Sequence, residues 1–269
     1  MPQNRTDKRP LRIAQITDTH LFDSADGTLL GLNTRDCLDQ VIKLAQQDTD
    51  FDLVVASGDL AHDGSEAAYL QVREQLGQLG IPVYCLAGNH DEGRAIREHL
   101  HGNNFFCVRS ELSGGWQLVF LDSTIKNNEG GHLSTAELEA LSQALDKHPD
   151  LPAMVWLHHQ PVPMGSRWLD TMAVDNPDDF FAVIDRHPQV RAIVWGHVHQ
   201  TFEQKHNNVR LLSSPSTCLQ FLPDSEDFAV DEIPPGYRWL ELYPDGSLKT
   251  GVKRLADIPG HIDLSARGY

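Results

Sequence analysis

Short runs of Val, Ile and Leu alternate with longer amphipathic stretches along most of this chain. Several runs are apolar on consecutive residues, which is typical of strands that are buried on both faces of a sheet. The predicted strands are Arg12–Thr17, Asp52–Ser57, Pro82–Ala87, Gln117–Asp122, Ala153–Leu157, Ala192–Trp195 and Arg210–Ser213. The alternation therefore predicts an α/β fold.

Helix start signals lie between these runs. Thr34 precedes a segment whose apolar residues share one helical face. Ser134 and Glu137 form an S-x-x-E capping box. Asn176 and Pro177 supply an N-cap followed by proline at the first helical position. We expect these helices to flank the sheet.

Two late strand candidates, Tyr237–Tyr243 and Ser247–Arg254, are joined by a Pro-Asp-Gly turn. They predict a β-hairpin within residues 237–254. Because antiparallel strands close an otherwise parallel array, we expect a mixed sheet folded into two layers with helices outside. No linker divides the sequence, so we expect one domain over residues 11–255 and a C-terminal tail over 256–269.

Charge and composition restrict the partners of this chain. It has 22 Lys and Arg against 38 Asp and Glu, a net charge of −16, which repels polyanions and predicts no nucleic-acid polymer as partner. The polar N-terminus and the absence of a long apolar run predict no leader and no membrane association. Four widely separated cysteines, Cys37, Cys85, Cys107 and Cys218, predict reduced thiols and a cytoplasmic location.

Polar motifs follow five of the predicted strands directly. They are Asp18-Thr19-His20, Gly58-Asp59, Gly88-Asn89-His90-Asp91, His158-His159 and Gly196-His197-Val198-His199. Each motif alone is ordinary turn chemistry. In open α/β sheets, however, ligands bind beyond the carboxyl ends of the strands, so five such ends predict one shared site.

The side chains of these motifs suit a transition-metal site. Carboxylate, imidazole and amide groups favour Mn²⁺, Fe, Co²⁺ or Zn²⁺, whereas the imidazoles argue against Ca²⁺ and the lack of thiolates argues against a structural zinc site. Seven candidate ligands are too many for one ion. With Asp59 as a bridging carboxylate, they could hold two ions ~3.5–4 Å apart, the spacing used in phosphoryl chemistry.

The order D-x-H, G-D, G-N-H-D, H, G-H-x-H resembles that of the calcineurin-like metallophosphoesterases. The stretches QITDTHLF, GLNT, LHHQPVP, GSRWLD, PSTCLQF, PGYRWLEL and RLAD are similar to bacterial class III 3′,5′-cyclic AMP phosphodiesterases over nearly the whole chain. The resemblance implies a four-layer α/β/β/α sandwich with mixed sheets and a dinuclear metal site at one rim.

The resemblance also implies which residues hold the two ions, typically iron with manganese or another divalent metal. One ion would be held by Asp18, His20, Asp59 and His199, and the other by Asp59, Asn89, His158 and His197. His159 is the alternative to His158, because the extra Gln160 before Pro161 departs from the usual spacing.

The implied reaction converts cyclic AMP, a small-molecule partner, to 5′-AMP. A hydroxide formed at the metal pair attacks phosphorus, and His90 donates a proton or a hydrogen bond to the leaving ribose O3′. The implied substrate-binding residues are His20, Asp59, Asn89 and His90. Asp91 either orients the His90 ring or is the N-cap of a helix over Glu92–Leu100.

Other polar and aromatic residues receive simpler interpretations. Asp122 is interpreted as a turn or cap residue. The histidines interpreted as surface or turn residues are His62, His99, His101, His132, His148, His187, His206 and His261. The residues predicted to wall a base pocket are Trp168, Asp170, Gln220 and Phe221.

Two other functions remain open from the sequence. One is a broader phosphodiesterase acting on 2′,3′-cyclic nucleotides or glycerophosphodiesters with the same seven ligands. The other is a non-catalytic binding scaffold of the same fold, although such scaffolds usually lose ligands and here every position is filled. The sequence allows either a monomer or a homodimer.

Overall fold

The computed structural model describes residues 9–48 and 50–268. The polar residues 1–8 of the N-terminus and Tyr269, the last residue of the predicted tail, lie outside this part. The strands are β1 (Leu11–Ile16), β2 (Thr28–Leu29), β3 (Leu32–Asn33), β4 (Leu53–Ser57), β5 (Val83–Leu86), β6 (Phe105–Phe106), β7 (Ser110–Ser113), β8 (Trp116–Phe120), β9 (Thr124–Ile125), β10 (Asn128–Gly131), β11 (Ala153–Trp156), β12 (Val190–Trp195), β13 (Phe202–His206), β14 (Val209–Ser213), β15 (Gln220–Phe221), β16 (Val230–Asp231), β17 (Gly236–Leu242) and β18 (Leu248–Arg254). The helices are α1 (Thr34–Asp48), α2 (Glu66–Gly77), α3 (Gly93–His99), α4 (Thr135–Asp146), α5 (Arg167–Asp170) and α6 (Pro177–Ile184).

Two six-stranded mixed sheets form the centre of the molecule. The first has the order β18-β17-β1-β4-β5-β6 and the second has the order β13-β14-β12-β11-β8-β7. Four neighbouring strands of each sheet are parallel. Antiparallel strands complete both edges of the second sheet and one edge of the first, whose other edge is the parallel strand β6. β17 pairs with β1 and β18, which brings the C-terminal hairpin into the first sheet.

Successive side chains of each central strand point to opposite faces of its sheet and so pack in two different apolar cores. Ile13 and Val55 of the first sheet pack with Trp156 and Val194 of the second in an apolar layer between the sheets. Residues of opposite orientation, such as Val54, pack instead beneath the helices. Helices α1, α2 and α3 cover the first sheet, and α4 and α6 cover the second. The predicted α/β/β/α sandwich is confirmed.

The long predicted strands are present, with ends shifted by a residue or two. The sequence did not reveal the short ladders, because a strand of two residues such as Phe105–Phe106 has no periodicity to detect. It also missed β13, whose FEQKH sequence is polar and largely exposed at a sheet edge.

The helices begin where the sequence predicts, but their capping hydrogen bonds differ from the predicted ones. Helix α1 is capped by Asn33, whose Oδ1 accepts the N–H of Asp36 at 2.8 Å. Ser134 caps α4 by accepting the N–H of Glu137 at 3.1 Å, but the Glu137 carboxylate accepts from Arg109 at 2.6 Å instead of completing the capping box. Asn176 bonds the backbone of a neighbouring loop and makes no side-chain cap bond.

Two further expectations concern the thiols and the membrane. All four cysteines are free, as predicted. Within residues 9–48 and 50–268, no helix has both the length and the apolar character needed to cross a bilayer.

Candidate metal centre

The loops that follow five parallel strands converge at one rim of the two sheets. Backbone hydrogen bonds join these loops: the Asp18 N–H donates to Gly58 O at 3.0 Å, and the His20 N–H donates to Asp59 O at 3.0 Å. Within the second sheet, the Gly196 N–H donates to His158 O at 3.2 Å, and between the sheets the His197 N–H donates to Asp18 Oδ1 at 3.0 Å. The five motifs that the sequence singled out therefore lie in one place.

The backbone of this rim is strained at the predicted ligands. Five of them adopt positive φ values in the left-handed region: Asp18 (54°), His20 (45°), Asp59 (49°), His197 (63°) and His199 (46°). Residues with a Cβ visit this region rarely and at a cost, and such residues cluster at functional sites. The surrounding hydrogen bonds hold these turns in place.

Two glycines allow the loops to approach the carboxylates closely. A Cβ on Gly88 would collide with the Asp59 carboxylate and lie 2.7 Å from His158 Nε2. A Cβ on Gly196 would collide with Thr17 and lie 2.8 Å from the Asp18 carboxylate. Glycine is therefore needed at both positions for steric reasons.

Two groups of buried side chains have ligand atoms close enough to share an ion. The first group is Asp18, His20 and His199, and the second is Asp59, His158 and His197. Within each group the ligand atoms lie within 4.8 Å of one another. Each group combines one carboxylate with two imidazoles, which is a donor set for first-row transition metals.

Asp59 connects the two groups. Its Oδ2 lies 3.2 Å from His158 Nε2 in its own group and 3.9 Å from His20 Nε2 in the other. Its Oδ1 accepts the backbone N–H of His90 at 2.9 Å. One carboxylate thus faces both groups, which is the position a bridging ligand requires.

Hydrogen bonds to backbone carbonyls orient two of the imidazoles. His158 Nδ1–H donates to Ser57 O at 2.8 Å, and His199 Nδ1–H donates to Leu219 O at 3.0 Å. A carbonyl only accepts, so each bond fixes the tautomer and leaves Nε2 facing the carboxylates. Phe221 stacks on the His199 ring at 4.2 Å and 6°, which further fixes its plane.

Burial and charge set the protonation of the cluster. Burial lowers the pKa of His20 and of His197 well below the usual value, so both imidazoles are neutral, as metal ligands must be. At His158, burial opposes the charged form, but the charges of Asp59 and Asp18 outweigh it and raise the pKa to about 9. Without cations, an imidazolium therefore compensates part of the buried negative charge.

Two buried atoms in the cluster lack a hydrogen-bond partner among the described residues. They are His197 Nε2 and Asn89 Oδ1. Leaving buried polar atoms unsatisfied is costly, so such atoms call for an explanation. Both are lone-pair donors of the kind that coordinate metal ions. The residues present therefore fit a pair of cations.

His159, the alternative ligand, is engaged elsewhere. Its Nδ1 lies 2.8 Å from Ser123 Oγ, and its Nε2 donates to Glu129 O at 3.2 Å. Burial, reinforced by the charge of His158, lowers the pKa of His159 to about 3, so the ring is neutral. Both ring nitrogens are directed to protein partners rather than to the carboxylates.

The comparisons with known proteins agree with this geometry. The sequence profile of the calcineurin-like phosphoesterases matches residues 11–201. The chain belongs to this family. Its members use a dinuclear metal centre, and the two groups joined by Asp59 are groups that could bind metals.

Among the relatives that match nearly the whole chain are two bacterial enzymes. The 3′,5′-cyclic adenosine monophosphate phosphodiesterase CpdA of Pseudomonas aeruginosa is 38% identical over 258 residues, which cover 96% of this chain and 94% of the relative. The enzyme of the same name from Escherichia coli is 39% identical over 261 residues, covering 96% and 95%.

Solved structures share the fold at low identity. A dimetal phosphatase from Danio rerio superposes with a TM-score of 0.64 at 15% identity, covering 87% of this chain and 96% of the other. The purple acid phosphatase PPD1 from yellow lupin seeds gives 0.67 at 15% identity, covering 97% of this chain and 54% of the other. Both support the calcineurin-like sandwich.

One residue of this calcineurin-like site was missed by the sequence analysis. His62 was interpreted as a surface or turn residue, but it is half-buried and its ring stacks on His90 at 4.9 Å and 22°. Its Nδ1 lies 3.4 Å from His20 Nδ1, and its backbone O accepts from His90 Nδ1 at 3.1 Å. The available signal was its place in the loop that begins at Gly58-Asp59.

Asp91 has neither of its two predicted roles. Helix α3 begins at Gly93 with Glu92 at the N-cap, so Asp91 is not the cap. The His90 ring bonds His62 O rather than Asp91. The Asp91 carboxylate instead ties loops together by accepting from backbone N–H groups and a phenol, namely Leu60 N, Ala61 N, Gly88 N and Tyr69 Oη.

Two simpler interpretations have opposite outcomes. Asp122 is a turn residue as predicted, since its Oδ1 accepts the Thr124 N–H at 3.0 Å. His187 is not at the surface: it is buried, donates from Nδ1 to Val183 O at 2.8 Å and lies 3.1 Å from Asp146 Oδ1. The other histidines of that group, apart from His62, are partly or fully exposed.

An aromatic cavity of about 290 Å³ adjoins the cluster. Asn89, His90 and His197 line one side, and Trp168, Phe221 and Phe228 line the other. The Trp168 ring lies 4.9 Å from Phe221 and 5.1 Å from Phe228, and its buried Nε1 has no hydrogen-bond partner within the described ranges.

Two of the four residues predicted for the base pocket do not line this cavity. The Asp170 carboxylate accepts from the backbone N–H groups of Met164 and Gly165 and holds their turn. The side chain of Gln220 is fully buried and donates to Ser216 O at 2.9 Å. Phe228 was not predicted, because nothing in the sequence places its loop beside Trp168.

Proposed function

We propose that this chain hydrolyses 3′,5′-cyclic AMP to 5′-AMP with two metal ions at the rim of the sandwich. The observation that carries the proposal is the Asp59 carboxylate, which faces one imidazole nitrogen in each of two ligand groups. The substrate follows from relatives named as cyclic AMP phosphodiesterases that match at least 94% of their own length.

The proposed ligand sets follow the two groups. Asp18, His20, Asp59 and His199 hold one ion, and Asp59, Asn89, His158 and His197 hold the other. The buried Asn89 Oδ1 has no hydrogen-bond partner among the described residues, which supports Asn89 as a ligand of the second ion. We propose iron with manganese or another divalent metal as the pair. Two such ions supply Lewis acidity, which activates water and neutralises phosphate oxygens.

His90 is the proposed proton donor. Its Nδ1–H donates to His62 O at 3.1 Å, so in the doubly protonated ring the proton available to the leaving group is the one on Nε2. His90 lines the aromatic cavity beside Asn89, within reach of a leaving group held there. Protonating ribose O3′ as its bond to phosphorus breaks avoids the release of an alkoxide.

The aromatic cavity is the proposed site of the adenine base. Trp168 and Phe228 present ring surfaces, and stacking between aromatic rings stabilises a bound base by about 1–3 kcal/mol. The unpartnered Trp168 Nε1–H is a donor for a ring nitrogen of the purine. His20, Asp59, Asn89 and His90 surround the phosphate in this proposal.

The proposal treats residues 11–255 as a single domain with residues 256–269 as a tail. It is supported by the pairing of β17 with β1, which joins the two ends of that range in one sheet. A cytoplasmic location is part of the same proposal, supported by four cysteines that are all free.

Comparative kinetics test the substrate. The protein is stripped of metal with a chelator, reloaded with Mn²⁺, and assayed for kcat/KM on cyclic AMP, cyclic GMP, 2′,3′-cyclic AMP and bis-p-nitrophenyl phosphate. We expect cyclic AMP to be the best substrate and the stripped protein to be inactive. A preference for the artificial diester would favour a broad-specificity phosphodiesterase, and full activity without metal would refute the mechanism.

A further inference from the structure

The side chains of Cys85 and Cys107 are neighbours on the first sheet, close enough for each thiol to shift the pKa of the other. Parallel pairing matches Tyr84 of β5 with Phe106 of β6, and the two cysteines directly follow this last pair of the ladder. Both side chains pack in the core beneath the helices, on the same face of the sheet. Neighbouring strands lie ~4.8 Å apart, which falls within the Cα separation of about 4.4–6.8 Å that a disulfide needs.

Solvent reaches this pair through a separate cavity. A space of about 320 Å³ is lined by both cysteines together with Arg97, Arg109 and Glu137. Cys107 is half-buried, whereas Cys85 is only 4% exposed. None of the described residues that line this cavity is a predicted metal ligand.

The surroundings make the two thiols unequal. Interaction with the Cys85 thiol, followed by the charge of Arg97, lowers the pKa of the Cys107 thiol. The same interaction, together with burial, raises the pKa of Cys85 well above its usual value. Reactivity follows thiolate character and exposure, and Cys107 is also the more exposed of the two, so Cys107 is the nucleophile of the pair.

We propose that Cys107 is a site of oxidation by hydroperoxides and that Cys85 resolves the product as an intrachain disulfide. In the first step the Cys107 sulfur bonds to one peroxide oxygen, the O–O bond breaks, and the other oxygen leaves as an alcohol or water after taking up a proton. In the second step the Cys85 sulfur displaces that oxygen from Cys107. The S–S bond forms, the S–O bond breaks, and water leaves with the Cys85 proton.

A second cysteine pair in the same chain supplies an internal control. Cys37 and Cys218 are also neighbours, and the interaction between their thiols raises the pKa of Cys218 together with burial. Their exposed fractions are 0% and 1%, and neither lines the 320 Å³ cavity. Contact between thiols is therefore common to both pairs, whereas solvent access is specific to Cys85 and Cys107.

Alkylation of the wild-type chain tests access without any substitution. The Mn²⁺-loaded protein is treated briefly with iodoacetamide, and each cysteine is quantified by peptide mass spectrometry. We expect Cys107 to react at least about tenfold faster than Cys37 or Cys218, since reactivity follows thiolate character and exposure. Equal rates at all four cysteines would overturn the assignment of Cys107.

Oxidation with tert-butyl hydroperoxide then tests the disulfide. Manganese is the metal of choice, because iron would itself decompose the hydroperoxide. We expect a peptide linking Cys85 to Cys107, no link between Cys37 and Cys218, and reversal by dithiothreitol. In a Cys85→Ser variant, dimedone should trap a sulfenic acid at Cys107, and in a Cys107→Ser variant Cys85 should stay reduced. Oxidation of Cys85 without Cys107, or a link only between separate chains, would refute the proposal.

Discussion

The rings of His62 and His90 stack at 4.9 Å, and the backbone carbonyl of His62 accepts the hydrogen bond from His90 Nδ1. Nδ1 of His62 also lies 3.4 Å from Nδ1 of His20, a proposed metal ligand. His62 therefore contacts the proposed acid and the proposed metal ligand at once. Residues that orient ligands in this way commonly contribute 10–100-fold to metal affinity or activity.

We expect His62→Ala to lower kcat by roughly tenfold, with a small change in KM, because the His90 ring loses its stacking partner. His90→Ala should lower kcat by on the order of 10²–10⁴ while both metals stay bound. The measurements are steady-state kinetics on cyclic AMP and metal content by mass spectrometry. His101→Ala removes an exposed histidine and is the control. Unchanged kcat in His62→Ala would show that the stacking is irrelevant to turnover.

The neighbours His158 and His159 should differ in their effect on metal content. We expect His158→Ala to lose most of one of the two ions, because its Nε2 faces Asp59. His159→Ala should keep both ions, because its ring bonds Ser123 and Glu129 instead. Quantifying bound Mn²⁺ after dialysis distinguishes the two. If His159→Ala were the variant that lost an ion, the proposed assignment would be reversed.

Gly88→Ala should disrupt the centre without a change in charge. The added Cβ would collide with the Asp59 carboxylate, so we expect at least one ion to be lost and activity to fall by on the order of 10²-fold or more. Gly77→Ala is the matched control, since a Cβ there meets only a ring carbon of Phe105 at 3.9 Å. A Gly88→Ala variant with normal metal content would contradict the close approach.

The metal-free protein should show a distinct pH dependence. The folded pKa of His158 is raised to about 9 from 6.5, so its ion pair with Asp59 stabilises the fold fully below pH 6.5 and is lost as pH rises through 9. We expect the free energy of unfolding to fall by on the order of 1–3 kcal/mol over that window. His158→Asn should flatten the curve, as urea denaturation at each pH measures. A parallel decline in wild type and variant would assign the effect to other groups.

Trp168→Ala should weaken binding of the base selectively. We expect KM for cyclic AMP to rise by roughly tenfold through lost stacking, while kcat/KM for bis-p-nitrophenyl phosphate, which has no purine, stays within about twofold. Trp239→Ala is the control, because Trp239 is half-buried on β17 and does not line the cavity. Equal losses on both substrates would show that Trp168 supports the metal centre rather than the base.

Apart from the control positions His101, Gly77 and Trp239, every described residue that these experiments alter lies at the rim or lines a cavity of a single chain. Gel filtration of the metal-loaded protein distinguishes the monomer from the homodimer that the sequence allows.

The central strands and the polar motifs could be predicted from the sequence because their signals are local. A run such as LVVAS is apolar enough to predict a buried strand whichever strands pair with it. Gly58-Asp59 follows this run directly, so the two residues lie at the carboxyl end of the strand. The calcineurin-like order of the five motifs then identified the fold class. Short ladders such as β6 escaped detection, because two residues have no period.

The contacts between loops were decided only by the tertiary structure. No local signal states that His62 stacks on a ring 28 residues later, or that Asp91 bonds the loop that follows β4. The choice between His158 and His159 depends on which ring turns toward Asp59, and the left-handed turns at Asp18 and His199 are stable only within the packed rim. Such features depend on hydrogen bonds between segments far apart in sequence, whose partners are specified once the two sheets have packed together.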